Sequence, residues 1–278
     1  MAFNINEMLL DRVRSLTAHK LGDGELLFRL TSLEDPSLSC TAEGEEITDA
    51  IGSLITTLYR AKKATFSASN SLISLDLAAA QYGADKVIGS DTNKIIDYAY
   101  EVLPVKAPAV EGDPYTIELK NAATTMKDEN GDDVTTIKYI YAIENGQIGT
   151  TYEYNPAVSE KNFTVDKDNK TIKLPTGVKS GKIYVEYTYE NANAMKVTNR
   201  ASEFPKACSI VIYAYFKDVC NENTVYSGKI ICPKAKLNPE QVELALTSTG
   251  KHAFEFQMMK DYCADESEDE LFSIIISQ

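Results

Sequence analysis

The stretch Ala64-Thr65-Phe66-Ser67-Ala68-Ser69 runs directly into Asn70-Ser71-Leu72-Ile73-Ser74-Leu75-Asp76-Leu77-Ala78-Ala79-Ala80-Gln81-Tyr82-Gly83. Its first six residues alternate apolar and hydroxyl-bearing side chains, the period of a half-buried strand. The remainder predicts a helix over 72–82, capped at the front by Asn70 or Ser71 and closed by Gly83. Asp76 is the one charge within it, so most of its surface should be buried. No other segment carries so strong a helix signal, and the rest of the chain has to be read around this strand–helix pair.

Toward the N-terminus, Glu7 to Arg14 reads as a short helix stopped by Gly22-Asp23-Gly24. Glu25 to Ser32 reads as a strand, and Asp35-Pro36 turns the chain into Ser37 to Thr41. Thr41 to Arg60 starts acidic and continues with mixed apolar and small polar residues. A long hairpin or an exposed loop fits it better than a core helix.

On the other side, composition shifts near Glu111-Gly112-Asp113-Pro114, and half of the chain's 16 tyrosines fall between there and about Met195. Short strands are expected at Tyr115 to Leu119, Val134 to Ile143, Thr150 to Tyr154, Asn162 to Val165, Thr171 to Leu174 and Lys182 to Tyr189. Turn signals separate them, among them Asn130-Gly131, Asn145-Gly146 and Pro175-Thr176-Gly177. This pattern predicts a small β-sandwich over 112–195. Beyond it, strands are expected at Ser209 to Lys217, Thr224 to Cys232, Gln241 to Thr247, Ala253 to Met259 and Leu271 to Ile276. The fold class is therefore mainly β, with a discontinuous domain of 1–111 and 196–278 that 112–195 interrupts.

The chain has 278 residues, 44% of them hydrophobic and 25% charged, with 41 acidic against 28 basic side chains and a formal charge of −13. That balance excludes a disordered chain and argues against tight, salt-driven nucleic-acid binding. No apolar run reaches the roughly 20 residues of a spanning helix, so no membrane insertion is expected. The start lacks a basic segment followed by an apolar one, so no secretory leader is expected. Cys40, Cys208, Cys220, Cys232 and Cys263 form no C-x-x-C pair and read as reduced thiols.

His19 and His252 are the only histidines. Ser248-Thr249-Gly250-Lys251-His252 superficially resembles the end of a phosphate loop, yet Ala245 stands where the first glycine would be required, and a turn between strands explains it. Asp128-Glu129-Asn130-Gly131-Asp132-Asp133 has its glycine too early for a calcium loop. No catalytic, metal or cofactor site emerges, and no enzyme activity is expected. Asp265, Glu266, Glu268, Asp269 and Glu270 form an acidic run, read either as a solvated loop or, in a ring of copies, as carboxylates lining a pore.

Two stretches carry a family resemblance. Pro36-Ser37-Leu38-Ser39 and then Asp49 to Leu72, with Arg60-Ala61-Lys62-Lys63-Ala64-Thr65-Phe66-Ser67 at its centre, resemble the long loop and strand of tailed-bacteriophage major tail (tail tube) proteins. Ser248 to Phe256 and Leu271-Phe272-Ser273-Ile274 resemble that family's closing strands. The resemblance implies a sandwich or barrel-like core with one flanking helix, in subunits that form rings, typically of six, stacked into a tube. It further implies other phage tail proteins as partners, passage of DNA at infection, and a place in the virion tail after assembly in the host cytoplasm. The insert lies outside the match and resembles immunoglobulin-like modules of virion proteins. A wall that DNA must pass without sticking suits an acidic chain. Leu9, Leu10, Ile47, Leu54, Ile55, Leu58 and Tyr59 are candidate ring-stacking or oligomer contacts, because their segments are poorly patterned for a self-contained core. The alternative is another virion surface component, a capsid decoration protein or carbohydrate-binding adhesin, with the tyrosine-rich insert as its working part.

Overall fold

In the computed structural model of the chain, the structure describes residues 7–166, 168–219, 224–240, 242–245, 247, 250–260 and 270–277. The first part comprises β1 (Met8–Lys20), β2 (Leu26–Leu30), β3 (Leu33–Thr48), β4 (Leu54–Asn70) and the helix α1 (Leu75–Tyr82). There follow β5 (Val87–Ile88), β6 (Ile95–Pro104), β7 (Thr116–Glu118), β8 (Thr125–Lys127), β9 (Asp133–Thr135), β10 (Tyr139–Glu144) and β11 (Gln147–Tyr154). Next come β12 (Asn162–Val165), β13 (Thr171–Lys173), β14 (Lys182–Asn191) and β15 (Met195–Lys196). The chain ends with β16 (Ala207–Asp218), β17 (Val225–Leu237), β18 (Glu243–Leu244), β19 (His252–Met258) and β20 (Ser273–Ser277). It divides into two compact units, Met1–Lys86 with Val197–Gln278, and Val87–Lys196.

The larger unit is one antiparallel sheet in the order β2-β1-β16-β17-β19-β4-β3, with β18 on β19 and β20 on β17. The period-two patterns place its core. Ala64, Phe66 and Ala68 of β4 point inward, as do Cys208, Ile210 and Ile212 of β16 and Phe254, Phe256 and Met258 of β19. Phe256 lies edge-on to Phe254 at 5.8 Å and stacked with Phe28 of β2 at 6.4 Å. Each such side chain, fully buried, contributes about 1.5–3 kcal/mol.

The single helix among the described residues is shorter than the sequence implied. Ser74, not Asn70 or Ser71, is its N-cap, with the hydroxyl accepting from the Leu77 N–H at 3.2 Å. Asn70 instead finishes β4, where its amide bridges to the Leu72 carbonyl at 2.5 Å. Gly83 closes the helix as expected, at φ 71°. Leu77 enters the sheet's core, Ala78, Ala79 and Gln81 are buried, and Asp76 pairs with Lys86.

The short helix expected over Glu7 to Arg14 is absent. From Met8 onward those residues belong to β1, which pairs with β16 from Met8↔Asp218 to Lys20↔Cys208. Ladder pairing with a strand almost two hundred residues away overrides a weak local preference. Two irregularities in this ladder, between Leu10 and Arg12 and between Val13 and Ser15, account for the broken periodicity of the segment.

In the smaller unit the strand order is β6-β14-β10-β11-β12-β13-β7. A bridge between Lys106 and Thr116 joins the chain just past β6 to β7, so the sheet nearly closes into a barrel. Its core holds Ile117, Ile137, Ile140, Phe163, Ile172, Leu174, Ile183 and Val185. β6 had no strand assignment in the sequence reading and fell within residues 1–111. It pairs with β14 along its full length, Ile95↔Asn191 to Pro104↔Lys182. The expected turn at Asn145-Gly146 has both residues at positive φ, 52° and 80°, the requirement of a tight hairpin turn. Where the chain enters and leaves this unit, β5 and β15 pair through Val87↔Lys196 and Ile88↔Met195.

Candidate assembly surfaces

The outer part of the β3–β4 hairpin faces solvent along its whole length. β4 alternates buried and part-buried residues from Ala64 to Asn70, but from Leu54 to Lys63 all but one residue are exposed. Its partner β3 is exposed from Ser39 onward. Thr41 to Thr48 thus extend past the packed sheet as a two-stranded arm, about 25 Å long at strand rise. A bulge marks where the arm leaves the core. Thr41 pairs with Lys63 but Glu43 pairs with Arg60, so two residues, Ala61 and Lys62, oppose one. Ala61 takes the left-handed conformation, φ 50°, which an L-residue adopts at a cost.

Register separates the arm's apolar residues onto two faces. Ile47 opposite Thr56 and Leu58 opposite Glu45 share one face; Tyr59 lies opposite Gly44 on the other. The Tyr59 ring covers that glycine, with Cε1 3.3 Å from where a Cβ would stand. Leu54 and Ile55 lie at the far end, beside a second irregularity between Ile47 and Thr48. Arg60 pairs with Glu45 at 2.9 Å and Lys63 with Glu43 at 3.4 Å, exposed bridges worth at most about 1 kcal/mol each. At the tip the Asp49 carboxylate accepts from the N–H groups of Ile51 and Ser53, at 3.0 and 2.7 Å. That turn presents Ile51, 87% exposed, at the end of the arm. Sequence reasoning did not single out Ile51, although an isoleucine between a turn-forming Asp and Gly52 was itself a signal.

Leu9 and Leu10 are also exposed, at the beginning of β1 opposite Lys217 and Phe216. Asp11 next to them is paired with Lys217 at 2.7 Å, and this hydrogen-bonded ammonium holds its carboxyl below the usual range. Arg12 and Arg14 both lie over the Tyr215 ring, 5.6 and 5.8 Å from its centroid. The C-terminal strand β20 adds a surface the sequence did not flag. It pairs with β17 along one edge, among the described residues no strand pairs its other edge, and Ile274 and Ile275 are exposed.

Asp265, Glu266, Glu268 and Asp269 lie outside the described residues. Glu270 is exposed and borders a cleft with Lys62, Lys260, Leu271 and Phe272.

His252 is fully buried and serves as a structural clamp. Its Nε2 lies 2.6 Å from Gln81 Oε1, and its Nδ1 accepts from the Ser74 N–H at 3.4 Å, fixing both ends of α1 to β19. Burial lowers its pKa and keeps the ring neutral. Lys251 beside it pairs with Glu34 and, at 3.7 Å, with Asp35. Of the cysteines, Cys40, Cys208 and Cys232 are free thiols; burial pushes Cys208 up to about 12 and Cys232 up to about 11. Cys220 and Cys263 lie outside the described residues. Among the described residues no group of three or more metal-ligating side chains comes together, and no helix is long and apolar enough to cross a membrane.

No curated protein matches the chain. A comparison with known families finds one that spans nearly all of it, both units included, over residues 8–271. By that match the chain belongs to the YomU/Tube protein family.

Proposed function

We propose that this protein is a structural subunit of a phage tail tube, self-assembling into stacked rings, of six copies, through which DNA passes into the host. Family membership supports a tube role. The observation that carries the assembly reading is the β3–β4 arm, whose apolar residues lie on both faces and are exposed in the single chain. An isolated two-stranded ribbon is marginally stable in water, so an arm of this length gains its stability from being covered. Leu54, Ile55, Leu58, Tyr59 and Ile47 on the arm, with Leu9 and Leu10 on β1, form the ring-to-ring contacts. The free edge of β20 continues the sheet into a neighbouring copy, which removes an otherwise exposed strand edge.

The chain's charge of −13 supports passage without adhesion. A DNA duplex carries a negative charge every ~1.7 Å of axis, and a basic wall would hold it. The protein works without catalysis or cofactor, in the virion tail with other tail proteins, after assembly in the host cytoplasm. The discontinuous larger unit forms the tube, and the smaller one is an inserted β-module. Electron microscopy of the purified protein tests the proposal. Hollow tubes or stacked six-membered rings of uniform bore are expected, whereas a dispersed monomer at high concentration overturns it.

A further inference from the structure

The outward face of the smaller sheet carries a tyrosine cluster that its own core does not use. Along β6, Ile96, Tyr98, Tyr100 and Val102 point away from the core, with Tyr98 82% and Tyr100 74% exposed. On the neighbouring β14, Glu186 stands opposite Tyr100, and Tyr184 stands opposite Val102. β10 continues the same face. Tyr141 is opposite Tyr184, and the same register sets the exposed Tyr139 opposite Glu186. The Tyr184 ring lies 6.4 Å from Tyr100 and 6.1 Å from Tyr141, centroid to centroid. Glu186 is therefore a carboxylate with tyrosines on three sides.

Glu190, further along the same face, pairs with Lys94 at 2.9 Å, but Glu186 makes no ion pair among the described residues. Its contact is the Tyr184 hydroxyl, which donates to it and thereby keeps its own proton more firmly. The solvated face of such a sheet ordinarily carries polar side chains.

We propose that this face binds a quaternary ammonium group of the choline type, seated on the tyrosine rings with Glu186 as its counter-charge. Aromatic faces attract such cations through their quadrupoles, and a nearby carboxylate adds Coulombic attraction. Charge complementarity selects the occupant. An anionic ligand is repelled by Glu186, and a neutral one gains nothing from its charge. The proposal does not rest on the tube reading.

Titration of the full-length protein with choline chloride, followed by calorimetry and by the tyrosine ring resonances, tests it against the neutral isostere 3,3-dimethylbutan-1-ol. Saturable choline binding is expected, with the isostere at least roughly ten-fold weaker. Glu186→Gln and Tyr100→Leu should each weaken choline binding roughly two- to five-fold. Glu186→Gln is a surface substitution that leaves melting unchanged, so it remains decisive if Tyr100→Leu proves less stable. Equal binding of the isostere, an unaffected Glu186→Gln variant, tighter binding of a trilysine peptide, or no saturable choline binding would each overturn the assignment.

Discussion

His252 ties pH to the stability of the larger unit. Its imidazole is buried, neutral and hydrogen-bonded through both nitrogens, so its folded pKa lies below the usual value near 6.5. The unfolded chain consequently binds a proton that the folded chain refuses, and stability falls as pH drops below about 6.5 toward the folded pKa. Thermal melts between pH 7.5 and 5.5 should show this decline, and His252→Gln should flatten it while lowering the melting temperature throughout. The carboxylates held low by their partners, Asp11 by Lys217 and Glu34 by Lys251, respond to pH in a separate, lower window. For these the folded pKa is depressed, so their stabilisation is lost only as pH falls below the ordinary carboxylate range near 4. Ala61 gives a second residue-scale prediction. It holds a left-handed conformation at the arm's bulge, so Ala61→Gly should melt at or above the parent temperature. Ala61→Val, with its branched Cβ, should cost roughly 1–2 kcal/mol in a denaturant titration. A Val as harmless as Gly there would contradict the bulge.

Among the elements, α1 shows how local signals and tertiary clamps combine. Composition disclosed a polar residue ahead of an apolar run and Gly83 behind it, but two strong cap candidates, Asn70 and Ser71, masked the third. Ser74 serves because β4 runs through Asn70, and only four residues later does the chain turn into the helix. Ser74→Ala should cost about 1 kcal/mol and lower the melting temperature by about 2–4 °C. Asn70→Ala should act through the β4 turn instead. The arm was legible in the same partial way. Its acidic start and scattered apolar residues pointed to a hairpin or loop, whereas its two apolar faces depend on a bulge and a register that no local pattern encodes. Ile55→Glu should leave melting within about 0.5 kcal/mol of the parent, since the side chain is exposed in the single chain. Under the tube reading the same variant should lose its fast-sedimenting assemblies, a difference that analytical ultracentrifugation resolves directly.

At the scale of the whole molecule, β5 and β15 bring the entry and exit of residues 87–196 side by side, so paired Cα atoms there stand about 5 Å apart. Removing 87–196 and joining Lys86 to Val197 through a short Gly/Ser linker should therefore leave a larger unit that unfolds cooperatively. A non-cooperative melt would show that its sheet needs the smaller unit. The sequence by itself determined the strands whose partners lie close by, the helix closed by Gly83, the Asn145-Gly146 turn and the acidity of the chain. Those features arise from period, propensity and turn chemistry within a few residues. Only the tertiary structure decided that Glu7 to Arg14 opens a strand, that Ile95–Pro104 belongs with β14, and that Tyr98 and Tyr100 face solvent. In each case the deciding contact is a ladder partner between 78 and 210 residues away, and a local pattern carries no record of it.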